Sequence, residues 1–370
     1  MERTPLFYFH EQHAKMTQFA GFEMPLWYSS ISDEHLAVRN TVGIFDVSHM
    51  GRVLLRGPDA DKLLEHLLPT KTSTQAGGRS FYTLLLNEKG GIIDDLIVLK
   101  HSDNDYMLVV NAANKQKDIK HIQHHSNGLN AEVQDITTNS TMIAVQGPQA
   151  KENLQPTTPF DLQQLKRFRC STTAVLGHAS TVSRTGYTGE DGFEVILHDS
   201  GVSTPEGALQ VWNELVKSAM PCGLGARDSL RIEAGYPLYG FDITEAETPF
   251  EADLAWVVSK DKDEYVGSSV LHVLSDQTPS KMRRGLVLNA QIPRSGFEIH
   301  DRAGDQIGKV TSGSFSPLLK KGIAIGYLNP KYSEPGTRVQ VRVRDSDVNA
   351  QIVRTPFYDE TIYGWKRTKQ

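Results

Sequence analysis

Arg52-Val53-Leu54-Leu55-Arg56-Gly57-Pro58, running into Asp59–Leu68, is echoed by Thr141-Met142-Ile143-Ala144-Val145-Gln146-Gly147-Pro148, running into Gln149–Leu154. Each copy reads as an apolar strand, a Gly-Pro break and a helix whose first turn tolerates proline, because an N–H there has no intrahelical acceptor to lose. Two copies of one unit suggest a duplicated substructure. Between them the pattern predicts a β-meander: Phe81–Leu86, a turn at Glu88-Lys89-Gly90-Gly91, Ile92–Leu99, and a return along Tyr106–Val110. A polar helix is expected around Lys115–His125. Upstream, Ser32–Thr41 reads as a helix capped by Ser32 or Asp33, followed by the strand Gly43–Val47. Downstream, Thr181–Thr185 and Phe193–Leu197 form a hairpin across Gly186–Gly192, and Leu209–Ser218 reads as a helix with Trp212 and Leu215 inward.

Beyond the linker-like Leu274–Lys281 the texture changes to short alternating strands: Leu286–Leu288, Phe297–His300, Ile307–Val310, Ile323–Leu328, Val339–Val343 and Ala350–Val353. That spacing predicts a small all-β barrel or sandwich. A chain of 370 residues is too long for one ordinary core. The expected division is therefore residues 1–275 and 276–370.

The bulk numbers exclude several classes. With 39 basic and 44 acidic residues there is no global pull towards nucleic acid. The basic stretches Lys281–Arg284 and Lys366–Lys369 lack interleaved aromatics and read as solvated. Cys170 and Cys222 are the only cysteines, which argues against a disulfide framework or a thiolate metal site. No signal peptide and no membrane-length apolar run are visible, so a cytoplasmic protein is expected. The groups His10/His13 and His121/His124/His125 lack convergent acidic or thiol partners and read as exposed helix histidines. Ser48-His49 near Asp46 lacks a nucleophile elbow. Trp27 and Trp256 read as core or pocket wall.

Three segments carry chemistry. In Ile92–Leu99, Asp95 shares a strand face with Ile93, Ile97 and Leu99, while Asp94 shares the other with Ile92, Leu96 and Val98. A carboxylate on an apolar face is costly without a partner or ligand. Pairing with an arginine, or a place at a bulge, is the plain alternative, and periodicity does not choose between Asp94 and Asp95. Asn111 ends the neighbouring strand, either beside that position or as a cap for the next helix. In Arg184–Glu194 three glycines shape a loop that presents Tyr187, with Glu194 opening an apolar strand. A carboxylate beside an aromatic suits a pterin or guanidine-like edge, and an ordinary hairpin with an acidic tip is the alternative. A phosphate loop is ruled out by the missing Gly-Lys-Ser/Thr ending. In Pro221–Gly235 a helix from near Gly225 to Gly235 places Arg227, Arg231 and Ala234 on one stripe, suiting an internal ion-pair layer or a substrate contact equally.

The ordered set of motifs resembles the aminomethyltransferase (T-protein) family of the glycine cleavage system nearly end to end. It comprises Arg3-Thr4-Pro5-Leu6-Phe7, Gly21–Leu26, Phe45-Asp46-Val47-Ser48-His49-Met50-Gly51, Gly90–Leu96, Val145-Gln146-Gly147-Pro148, Gly186–Glu194, Gly223–Gly235, Thr311-Ser312-Gly313 and Pro356-Phe357-Tyr358. The resemblance implies an α+β fold: a folate-binding region of two α/β lobes around a central channel, plus the C-terminal barrel. It implies tetrahydrofolate as co-substrate, no metal or nucleotide cofactor, and the lipoylated H-protein as partner. By likeness Asp95 is the catalytic carboxylate and Glu194 the pterin-edge acceptor. Tyr82, Asn111 and Tyr187 line the pocket, Met50 makes an apolar contact, Arg227 a polar one, and Tyr363 a tail contact. A folate-dependent demethylase of small amines is the nearest rival, although the flavin-linked kind carries a dinucleotide fingerprint absent here. A non-enzymatic folate-binding relative would carry Lys-Gly-Cys-Tyr-x-Gly-Gln-Glu where this chain has Arg184-Thr185-Gly186-Tyr187-Thr188-Gly189-Glu190-Asp191.

Overall fold

The computed structural model describes residues 1–289, 291–344 and 346–368; Lys369 of the basic tail lies outside them. The chain separates into two compact units: Met1–Leu85 with Asp94–Arg227, and Leu86–Ile93 with Asp228–Gln370. It is an α+β protein, with mixed sheets and helices followed by a closed barrel.

The duplication read from the sequence is present in the backbone. One copy, Gly51–Arg56 then helix Ala60–Leu67, belongs to a five-stranded sheet ordered Arg79–Leu86, Ile92–Ser102, Asp105–Val110, Gly51–Arg56, Glu132–Asp135. The other, Thr141–Gln146 then helix Ala150–Leu154, belongs to a six-stranded sheet ordered Cys170–Val175, His178–Ser183, Gly192–Leu197, Thr141–Gln146, Gly43–Asp46, Met220–Pro221. Gly57 and Gly147 both adopt φ +129°, a region that glycine alone enters cheaply. The Gly57 N–H donates to the Asn104 carbonyl (3.0 Å), and the Gly147 N–H donates to that of Asp191 (2.8 Å). Both acceptors sit just before the partner strand. A Cβ would collide with the Asn130 carbonyl oxygen at Gly57 and with that of Thr41 at Gly147. The six-stranded sheet buries Ile44, Ile143, Val145, Phe193 and Val195 against Leu154, Val211, Trp212 and Leu215 of the helices.

Helix Ile31–Asn40 starts earlier than expected. Ser30, in extended backbone, is the cap, its hydroxyl accepting from the Asp33 N–H (3.1 Å), so Asp33 falls in the first turn. Helix Glu206–Leu215 likewise begins before Leu209.

In the second unit six strands close into a barrel in the order Met282–Leu288, Lys321–Leu328, Gln306–Ser316, Glu298–His300, Arg338–Val343, Ser346–Val353. Leu286, Leu288, Ile299, Val310, Val341 and Ile352 fill its interior. The barrel strands begin shortly after residue 276, and residues 228–281 belong to the same compact unit. Ile232 packs on Ile323 and Ile325. Trp256 is 68% exposed, not core or wall, because Val257 takes the inward place in the short turn Ala255–Val257. No helix among the described residues is long and apolar enough to cross a membrane.

Candidate active site

The strand Ile92–Ser102 separates the two aspartates that periodicity left equivalent. Asp94 is 0% exposed, among Ile92, Leu96 and Val98, whereas Asp95 keeps part of its surface in solvent. Asp94 accepts from the Asn111 N–H (3.0 Å), Asn111 Nδ2 (2.9 Å) and Asn114 Nδ2 (2.6 Å). Asp95 accepts from the Tyr82 hydroxyl (3.0 Å) and Asn111 Nδ2 (2.8 Å). No arginine or lysine pairs with either among the described residues, so the arginine alternative does not hold. Burial first, and then the adjacent Asp94 charge, push the Asp95 carboxyl up to about 7, against the Tyr82 and Asn111 hydrogen bonds. A carboxyl at that level exchanges protons near neutrality, the property that acid–base work requires.

A second constellation forms on the loop between the strands His178–Ser183 and Gly192–Leu197. The loop is no solvated acidic tip. Arg184 holds Asp191 with two bonds (2.9 and 2.5 Å), and buried Arg39 pairs with buried Glu190 (3.1 Å). Tyr187 is half-buried, with the Arg227 guanidinium 4.8 Å from its ring centre. Glu194 is buried and accepts from the Thr185 hydroxyl. Burial raises its carboxyl above the usual range, against the Thr185 bond and the Arg227 charge. Met50, half-buried, gives its carbonyl to Arg52 Nη1 (2.5 Å).

The structure thus brings Tyr82, Asp95 and Asn111 together, and separately gathers Tyr187, Glu194 and Arg227. Tyr363 belongs to the second unit, with Arg367 6.0 Å from its ring. Arg231, left open as ion pair or substrate contact, lies in the second unit as a buried ion-pair hub: it bonds Asp228 (2.8 Å), Asp242 (2.5 Å) and Ser312 (2.9 Å). Among the described residues no group of histidines, cysteines and carboxylates is arranged to hold a metal ion.

Two residues escaped the sequence reading. His49 is buried against Phe19 and Phe22, and its Nδ1 has no partner among the described residues. Burial, then the Arg227 charge, lower its ring to about 3, so the imidazole is neutral. Its motif was set aside as a hydrolase element and carried the family resemblance, but His49 itself was given no part in the site. Asp118 is 0% exposed on the helix Lys115–His125. Its one signal was an acid on the stripe carrying Ile122, four residues on.

A family model of the GCVT N-terminal domain matches residues 7–262, and one of the glycine cleavage T-protein C-terminal barrel domain matches residues 281–359. The aminomethyltransferase of Thermotoga sp. (strain RQ2) is 42% identical over 369 residues, which covers 98% of this chain and 99% of that protein. The aminomethyltransferase of Thermus thermophilus is 42% identical over 359 residues, covering 96% and 99%. The crystal structure of glycine cleavage system aminomethyltransferase T from Bartonella henselae superposes with a TM-score of 0.90 at 34% identity, covering 96% of this chain and 98% of that one. These matches define the class first: the chain is an aminomethyltransferase. Within that class it belongs to the glycine cleavage T-protein family.

Proposed function

We propose that the chain takes the aminomethyl group from the reduced lipoyl sulfur of an H-protein and passes its carbon to tetrahydrofolate. Ammonia, the free thiol and methylenetetrahydrofolate are released. The carbon–nitrogen and carbon–sulfur bonds of the arm break, two carbon–nitrogen bonds form, and the two folate N–H protons end on the leaving nitrogen and sulfur. The folate supplies the two attacking nitrogens. Such chemistry needs positioning and a proton acceptor within reach.

The observation that carries this reading is Asp95, partly exposed at the end of an amide-clamped cluster, with its carboxyl raised to about 7. In the proposal Asp95 accepts a proton from a folate nitrogen and passes it on, while Tyr82 and Asn111 fix the carboxyl's direction. Glu194 accepts paired hydrogen bonds from the pterin edge. Its fit to such a ligand rests on a buried carboxylate with one hydroxyl donor and no ion pair among the described residues. The unpartnered Nδ1 of His49 adds a second polar atom ready for a ligand. Arg227 and Tyr187 close over the same group, and Met50 offers apolar contact. The resemblance alone assigns Tyr363 a part in holding the co-substrate. The partner is a soluble lipoylated protein, not nucleic acid or membrane, and the setting is the cytoplasm.

The test mixes the chain, tetrahydrofolate and aminomethylated H-protein, and follows methylenetetrahydrofolate and ammonia. Stoichiometric formation of both supports the proposal. Product formed only from small methylated amines would replace it with the demethylase.

A further inference from the structure

We propose that Asp118 is a positioning residue, held as a neutral carboxylic acid whose hydroxyl donates to Asp94 and so fixes the amide cluster that aims Asp95. Its effect on turnover rests on the function proposed above; its protonation does not. Asp118 sits on the buried face of the helix Lys115–His125 with Ile119 and Ile122. Neither carboxyl oxygen meets a donor among the described residues. It lies one turn along from Asn114, whose carbonyl accepts the Asp118 N–H (2.9 Å) and whose side-chain amide donates to Asp94 (2.6 Å), and this sets the two carboxyl groups against each other. Two carboxylates have only acceptors to offer each other, so one of them must carry a proton.

The donors decide which one. Asp94 already receives three N–H bonds, from Asn111 and Asn114, which stabilise a negative charge there. Asp118 receives none, so the proton resides on it and points at Asp94. Burial first, then the Asp94 charge, hold the Asp118 carboxyl well above the ordinary carboxylate range. The charged neighbours are Asp94 and Asp95 from the strand and Lys117 from its own helix. On the adjacent strand Asp135 is engaged by Lys115 (3.1 Å), and on the helix Ala60–Leu67 His66 meets His125 (3.0 Å).

The mechanical consequence runs through Asn111. Its Nδ2 donates to Asp94 (2.9 Å) and Asp95 (2.8 Å) at once, so a displaced Asp94 carries the amide, and with it the Asp95 carboxyl, away from its aim. Asp118→Asn keeps a donor for Asp94 without a titrating proton, and Asp118→Leu removes the donor at similar volume.

Thermal unfolding of wild type and Asp118→Asn is followed from about pH 5 to about pH 9. A folded carboxyl raised above its unfolded value stabilises fully below the unfolded value and loses that contribution as pH rises. Wild type should therefore lose midpoint more steeply than Asp118→Asn across this range. Asp118→Asn should keep most of the single-turnover rate. Asp118→Leu should lose about tenfold with the KM for tetrahydrofolate little changed, the scale of one hydrogen bond to a charged group. Parallel midpoint curves for wild type and Asp118→Asn would overturn the protonation. A loss of rate in Asp118→Asn as large as in Asp118→Leu would overturn the donor role. Should Asp118→Leu fail to fold, the Asp118→Asn arms decide the matter alone. The unfolding arm needs no folate, so its outcome is separate from that of the proposed function.

Discussion

In the sheet built on Gly51–Arg56, carboxylates crowd together: Asp94, Asp95 and Asp118 share a cluster served by Asn111, Asn114 and Tyr82. In the sheet built on Thr141–Gln146, each buried carboxylate has its own partners: Asp46 pairs with His10 (2.9 Å), and Glu194 faces Thr185, with Arg227 and Tyr187 nearby. The backbones repeat one another down to the φ of the two glycines, so the difference is one of charge, not of fold. Like charges in a buried cluster raise basicity and give a group that exchanges protons. Glu194 is raised by burial alone, against the Thr185 bond and the Arg227 charge, with no second carboxylate acting on it, and its oxygens accept hydrogen bonds. In this account the first copy handles protons and the second recognises the co-substrate.

The largest expected effect follows from that division. Asp95→Asn should lower turnover by about 10²–10⁴-fold, the usual worth of a positioned acid or base, while tetrahydrofolate still binds in calorimetry. Full activity would end the assignment. Next in size, Gly57→Ala and Gly147→Ala should each destabilise the protein by about 1–3 kcal/mol in denaturant titration, since both force a Cβ into a disfavoured φ against a carbonyl. A loss at one glycine alone would break the structural equivalence of the copies. Smaller again, Glu194→Gln should raise the KM for tetrahydrofolate about tenfold and leave the saturated rate nearly intact. A fall in kcat instead of a rise in KM would merge the two roles.

Much of this was legible in the residues, and for definite reasons. The Gly-Pro units fixed the duplicated strands because glycine at that φ has no substitute. The alternating strands after residue 281 predicted a barrel or sandwich without choosing between them; the closed barrel depends on pairing between Met282–Leu288 and Ser346–Val353 that no local pattern encodes. Asp95 and Asp94 were seen as a pair. Their division of labour was not, because it depends on Asn111 and Asn114, distant in sequence. Arg227 and Arg231 share a helix stripe, yet only Arg231 is saturated by carboxylates. Asp118 looked like one acid on a polar helix, and its importance lies in what it lacks in three dimensions. Likeness to a known family, rather than periodicity, chose Asp95 and named Glu194.

The pH dependence of the single-turnover rate tests the central claim most directly. With its carboxyl raised to about 7, Asp95 is ionised, and able to accept a proton, only above that point. The wild-type rate should climb as pH passes about 7 and level off beyond it, whereas Asp95→Asn should be slow and flat across the same range. A rising limb that survives unchanged in Asp95→Asn would show that another group handles the proton.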